Sequence, residues 1–291
     1  MTANLHSRES RRALRIKVGI VLLNWNGCED TKVCVSSLRE LRYADYEIIV
    51  VDNDSSDGSA AQLRKEFPEI AVIETGWNRG FSGGCNVGIR RALSQGADFV
   101  WLLNNDTKVD PDALQAMIDK TFNTPDVGAC GSAIYCMDSP QCVQAWGGGY
   151  INFWLGRSRH YLRPVPDDSI EFITGASMLI SREAIESVGF LDEGFFMYWE
   201  DADYCFRLRA AGWKLAVAGQ SRVWHQGSAS VGRGSAKLDR YFNASAARFF
   251  EKYARAPAIP RWAGVMLRMG KRFIARDWER ARAVWAGGTG D

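Results

Sequence analysis

Four short apolar runs rich in β-branched residues recur in the first half of the chain. Each is followed by a polar turn and then by apolar positions at helical spacing. Residues 18–23, 47–51, 70–73 and 99–103 read as strands, and 29–41, 59–67, 84–95 and 111–122 read as helices. The alternation predicts an α/β fold, a Rossmann-like and mostly parallel sheet flanked by helices. Every strand ends in polar residues, and in open parallel sheets ligands bind beyond the carboxyl ends of the strands. Asn24 and Asn26, Asp52 to Asp54, residues 76–86 and Asn104 to Asp106 are therefore expected to converge on one cleft.

The second half is less regular. A Gly-rich aromatic stretch at 146–156 precedes expected strands at 177–180 and 222–224. Between those strands an acidic cluster opens an amphipathic helix that runs to Ala211 and is closed by Gly212. Beyond residue 238, Tyr241, Phe242, Phe249, Phe250 and Tyr253 recur at helical spacing until Pro257 and Pro260 break the pattern.

Composition narrows the classes. A net charge of +2 over 291 residues argues against nucleic acid as partner. Seven cysteines, odd in number and without a Cys-x-x-Cys pair, suggest neither a disulfide framework nor a structural zinc. Arg8, Arg11, Arg12, Arg15 and Lys17 precede an apolar run that stops at Asn24, which reads as a basic extension and a first strand, not a signal peptide. The longest uncharged stretch, 139–156, is too rich in Gly and Gln for a spanning helix. The expected location is the cytoplasm.

Asp52 closes a buried strand and is the foremost ligand candidate of its turn, whereas Asp54, Ser55 and Asp57 also suit a turn and a helix cap. Residues 76–86, with Asn78, Arg79, Gly80, Gly83 and Asn86, offer close backbone approach and a cation for phosphate. A dinucleotide fingerprint would instead place Gly-x-Gly-x-x-Gly straight after the first strand, where Asn24-Trp25-Asn26 stands. Asp106, after Asn104 and Asn105, is an oxygen ligand for a hard divalent cation or part of a turn before Asp110-Pro111. Glu200, Asp201 and Asp203 crowd three carboxylates into four positions. Asp201 near a helix N-terminus is expected to stay ionised and to act as a general base, while a neighbour caps the helix. His225 reads as a metal ligand or a structural histidine.

Taken together, the ordered series resembles the family 2 inverting glycosyltransferases of GT-A fold, and within them the rhamnosyltransferase-like group. Its carriers are Val50-Val51-Asp52-Asn53, Asp57-Gly58-Ser59, Asn78-Arg79-Gly80-Phe81 with Gly83 and Asn86, and Leu102 to Thr107. Gly189 to Glu193 with Phe196, Glu200 to Asp203 with Arg207 and Gly212, and His225 complete it. The resemblance implies that Asp52 binds a pyrimidine base, that Asn104 and Asp106 occupy the metal and ribose motif, that Asp201 is the catalytic base, and that His225 joins a Mg or Mn ion or the diphosphate. Asn104 stands where many relatives carry a first carboxylate. The implied reaction is a single in-line displacement at the anomeric carbon.

On that reading residues 1–16 are a basic extension. Residues 17–125 form a nucleotide-sugar-binding half, 126–236 an acceptor and catalytic half, and 237–291 a basic amphipathic tail. From Lys237 onward the tail holds twelve Lys or Arg against five Asp or Glu, with tryptophans interleaved. Such a tail suits the inner face of a cell membrane, a helical cap over the core, or a homo-oligomer contact. The expected partners are dTDP-rhamnose, or a UDP-hexose or UDP-galactofuranose, and a glycan or glycolipid acceptor. A nucleotide-sugar-binding protein without turnover would need neither Asp201 nor an acceptor groove.

Overall fold

The computed structural model describes residues 16–227 and 235–290. The N-terminal extension up to residue 15 and most of the Gly- and Ser-rich stretch after His225 lie outside them.

Among the described residues, six helices and twelve strands lead to three C-terminal helices. β1 (Val18–Asn24), α1 (Cys28–Leu38), β2 (Tyr46–Asp52), α2 (Ser59–Glu66), β3 (Ala71–Glu74), α3 (Gly80–Ser94) and β4 (Phe99–Asn104) follow the expected alternation. β5 (Thr107–Val109), α4 (Ala113–Asn123), β6 (Val127–Cys136), β7 (Ser139–Trp146), β8 (Gly148–Asn152), β9 (Arg157–His160) and β10 (Phe172–Ile173) come next. β11 (Ser177–Ser181), α5 (Arg182–Val188), α6 (Glu200–Ala210) and β12 (Lys214–His225) complete the sheet region, and α7 (Ala236–Tyr253), α8 (Ala258–Ile274) and α9 (Trp278–Thr289) end the chain.

The main sheet runs β3-β2-β1-β4-β11-β6-β12-β5, with β7 added to β6. Its first four strands are parallel, as is the β6 and β12 pair, while β11 is antiparallel to both neighbours. Helices cover both faces, so the central strands are apolar on both sides. Ile20, Leu22, Val50 and Trp101 enter one core, and Val21, Ile49, Val51 and Leu102 enter the other. Register brings Asn24 beside Asp52 and Leu23 beside Asn104, which aligns three polar strand ends.

Two features differ from the sequence reading. α3 begins at Gly80, four residues before the expected start, so the Gly-rich run is helix and not loop. The glycines serve packing there: a Cβ on Gly84 would lie 2.2 Å from Leu23 Cδ1, and one on Gly88 2.2 Å from Val21 Cγ1. The stretch from 127 to 160 is four strands, and β8 pairs with β9 on one side and β10 on the other in a small second sheet.

α7 is part of the core, with Phe249 and Phe250 fully buried against Trp199 and Phe153. α8 and α9 are tied to α7 through Asp239, whose carboxylate accepts from Arg272 at 2.9 and 3.0 Å and from Arg280 at 2.7 and 3.2 Å. No described helix is long and apolar enough to cross a membrane.

Candidate active site

A cavity of about 400 Å³ opens at the carboxyl ends of the parallel strands. Of the residues expected there, Asn78, Gly80, Asn104, Asn105, Asp106, Glu200, Asp201 and His225 line it.

Asn24, Asn26 and Asp52 do not line it; they build its rear wall. Asp52 is buried, and its carboxylate accepts from Asn24 Nδ2 at 2.8 Å and from the Ser55 amide at 2.9 Å. Asn24 Oδ1 accepts from Thr31, whose hydroxyl oxygen in turn accepts from Asn105 Nδ2 at 2.9 Å. Asn26, in the left-handed region at φ 51°, accepts the Ser56 amide through its side chain and so pins the loop after β2. Asn53, expected at the cleft with the rest of its turn, does reach the cavity. Its amide group donates to Asn78 Oδ1 and the Gly80 carbonyl and accepts from the Arg79 amide.

Arg79, Gly83 and Asn86 also lie behind the lining. The Arg79 guanidinium stacks 4.5 Å from the Trp77 ring, and its buried Nε has no partner among the described residues. Gly83 packs against Arg79 Cβ and Glu193. Asn86 exchanges two hydrogen bonds with the Leu191 backbone and donates to Glu193, so it clamps the segment that leads to the cavity wall. Gly80 is where that wall touches α3. Its φ is +70°, and an added Cβ would lie 2.4 Å from the Phe196 carbonyl, so only glycine fits.

The end of β4 meets the end of β12 through β5, where His225 pairs with Thr107. His225 Nε2 lies 3.2 Å from Asp106 Oδ1 and 3.2 Å from Asn104 Nδ2, and its Nδ1 lies 2.9 Å from Gln144 Oε1. Burial pushes the Asp106 carboxyl up, but the His225 hydrogen bond and charge and the nearby amides outweigh it and hold its pKa below the ordinary value. In the neutral tautomer with Nδ1 donating to Gln144, Nε2 presents a lone pair beside Asp106, where a cation would take the place of the proton that otherwise links the two. A carboxylate, an imidazole held by an outer amide and a neutral amide therefore suit a divalent ion that also takes phosphate oxygens. Among the described residues no group of three or more His, Cys, Asp or Glu is gathered to hold a metal by protein ligands alone.

Across the cavity, Tyr198 and Trp199 both adopt φ 68° just before α6. Two consecutive non-glycine residues in the left-handed region cost about 1–3 kcal/mol each and mark a site held by its surroundings. They aim the first turn of α6. Asp201 Oδ2 accepts from the Gly175 amide at 2.9 Å and Oδ1 from its neighbour Ala202 at 2.7 Å. Burial raises the Asp201 pKa, and the two amides only partly oppose it. Asp201 lies in the first turn of α6, as expected, and burial makes its carboxylate a stronger base than an exposed one. Glu200 is buried with Oε2 unpartnered, and burial together with the Asp201 charge pushes its pKa well up. Asp203 turns away, paired with Arg207 at 2.9 Å, Lys252 at 2.6 Å and the Tyr253 hydroxyl at 2.8 Å. It joins α6 to α7 and does not cap the helix.

Two charged or titratable lining residues escaped the sequence reading. His160 of β9 faces the cavity with Phe172, and burial lowers its pKa while the Asp201 charge opposes that. Lys237, in the first turn of α7, is the only Lys or Arg lining the cavity among the described residues. Its ammonium lies 5.4 Å from the Trp25 ring and 5.8 Å from the Tyr241 ring. A cation just after a helix-capping serine, at the end of a Gly- and Ser-rich stretch, was the available signal.

The sequence model of glycosyl transferase family 2 matches residues 20–189, more than half of the chain. A low-salt glycan biosynthesis hexosyltransferase of Haloferax volcanii is 29% identical over 66% of this chain and 61% of its own length. An N-acetylglucosaminyl-diphospho-decaprenol L-rhamnosyltransferase of Mycobacterium tuberculosis is 26% identical over 64% of this chain and 68% of its own. The chain thus spans under two thirds of the first of these relatives. Among solved structures, a mannosyltransferase from Pyrobaculum calidifontis in complex with GDP-Man and Mn2+ aligns with a TM-score of 0.60 and 16% identity, covering 98% of this chain and 92% of that one. The curled, mostly parallel sheet is thus a GT-A fold, and the chain belongs to glycosyl transferase family 2.

Proposed function

We propose that this protein transfers a sugar from a nucleoside-diphosphate donor to an acceptor hydroxyl, with inversion at the anomeric carbon. The observation that carries the reading is that Asp201 and the Asn104, Asp106 and His225 group line one cavity from opposite elements. Asp201 takes the proton of the acceptor hydroxyl as its oxygen bonds to the anomeric carbon. The bond from that carbon to the diphosphate oxygen breaks on the other side, and the electron pair leaves with the nucleoside diphosphate. Glu200 lines the same wall beside Asp201, and beyond burial the two adjacent charges raise each other's proton affinity. A Mg or Mn ion held by Asp106 and His225 would neutralise diphosphate charge. Lys237 supplies the remaining positive charge from α7, so the tail segment completes the donor site.

The relative named as an L-rhamnosyltransferase supports dTDP-rhamnose as the first donor and a lipid-linked bacterial surface glycan as the acceptor. A UDP-hexose or UDP-galactofuranose is the second reading, favoured by the relative named as a hexosyltransferase. Calorimetric titration with thymidine, uridine and guanosine diphosphates, with and without Mn, tests the donor. Metal-dependent binding strongest for thymidine diphosphate is expected, and a uridine preference moves the assignment to the second donor class. Lys237→Ala should weaken diphosphate binding by roughly tenfold and leave nucleoside binding unchanged, with Lys237→Arg restoring most of it. Equal loss for nucleoside and diphosphate would refute a diphosphate role for Lys237.

A further inference from the structure

α8 is an amphipathic helix seated with its apolar face outward. Trp262, Met266, Leu267 and Ile274 fall within an arc of about 140° at 3.6 residues per turn, and they are 39%, 58%, 43% and 87% exposed. Its arginines point inward. Arg261 donates to the Gly288 and Thr289 carbonyls, Arg268 to Asn243 Oδ1 and the Gly156 carbonyl, and Arg272 to Asp239. The usual arrangement, apolar stripe to the core and charge to water, is reversed. α9 extends the surface, with Trp278 60% and Trp285 43% exposed and Trp285 packed on Trp262 at 5.5 Å. A contiguous apolar surface of this kind marks an interaction site.

We propose that this face of α8 and α9 lies on an anionic membrane surface, with its tryptophans at headgroup depth. Charge selects this occupant. Arg255, Lys271, Arg276 and Arg282 are exposed on these helices and the turns beside them, and none has an ion-pair partner among the described residues. Arg282 borders a shallow depression of about 300 Å³ formed with Phe273, Trp278 and Trp285, which can admit part of an acyl chain beside a cation. A second copy would bring the same unpaired cations together, whereas anionic headgroups neutralise them. Exposed tryptophans among cations are the composition of an interfacial helix. α7, against which α9 packs, lines the cavity with Lys237 and Tyr241, so the surface belongs to the same helical layer as the site. The inference does not depend on the glycosyltransferase reading.

Flotation of the full chain with phosphatidylglycerol/phosphatidylcholine vesicles, compared with phosphatidylcholine alone, tests it. The protein should float with the anionic vesicles and less so as salt rises. Met266→Glu with Ile274→Glu should lower the bound fraction at least ~tenfold while the far-ultraviolet circular dichroism spectrum, which reports an intact fold, stays unchanged. Replacing Arg255, Lys271, Arg276 and Arg282 by Gln should remove the preference for anionic lipid. No flotation with anionic vesicles, or flotation unaffected by the glutamates, overturns the proposal. So does a dimer in sedimentation velocity that the glutamates dissolve in a chain that does not float.

Discussion

Asp201→Asn is expected to bind donor as the unaltered protein does and to lower kcat by roughly a thousandfold, the scale of losing a positioned general base. The Asn side chain keeps the size of the carboxylate and, through its one oxygen, the contact with Gly175, while its NH2 group takes the place of the oxygen that accepts from Ala202. What is lost is the ability to take a proton. The pH profile provides an independent check. Burial raises the Asp201 pKa, so transfer should rise with pH along a limb centred above the ordinary Asp value of about 3.9. The residual activity of Asp201→Asn should lack that limb. Normal turnover in the variant, or an unchanged limb, would remove Asp201 from the chemistry.

Asp106→Ala should abolish the Mn dependence of nucleoside diphosphate binding and weaken it at least ~tenfold in the presence of the ion. The expectation rests on the Asp106 and His225 pair at 3.2 Å, held from behind by Gln144. Calorimetry reads the effect without any turnover. A variant that keeps the full Mn-dependent gain in affinity would show that the ion, if needed, sits elsewhere.

The parallel strands and the convergence of their ends were legible because both cores of a sheet covered on two faces demand continuous apolar runs, as in residues 18–23 and 99–103. Asn104, Asp106, Asp201 and His225 followed from that convergence and from the family resemblance. The region of β7 to β9 was not legible. Its strands carry short polar sequences such as Arg157 to His160, which lack the apolar alternation that marks a strand, although β8 and β9 pair as a local hairpin. His160 was missed for that reason.

Several motif residues are architectural, and for Asn86 the sequence had suggested contact with a ligand. Asn86 and Arg207 tie down the backbone between Val188 and Leu191, and Asp203 links α6 to α7. A carboxylate in an acidic cluster and one in a buried ion pair look alike until the partner, here Lys252 some fifty positions later, is placed. Asp52 likewise stands one layer behind the cavity because Asn24 and Ser55 occupy its oxygens. Periodicity gave α8 an apolar stripe but could not say which side faces the protein. That was decided by its arginines finding Asp239, Asn243 and three carbonyl groups.

The central claim is that one base and one leaving group act from opposite sides of a sugar in a single displacement. The most direct measurement is the anomeric configuration of the first-formed product, followed by proton NMR during transfer from the preferred donor. The account predicts a product of inverted configuration. A retained configuration would require a second displacement or attack from the leaving-group side, and would contradict it.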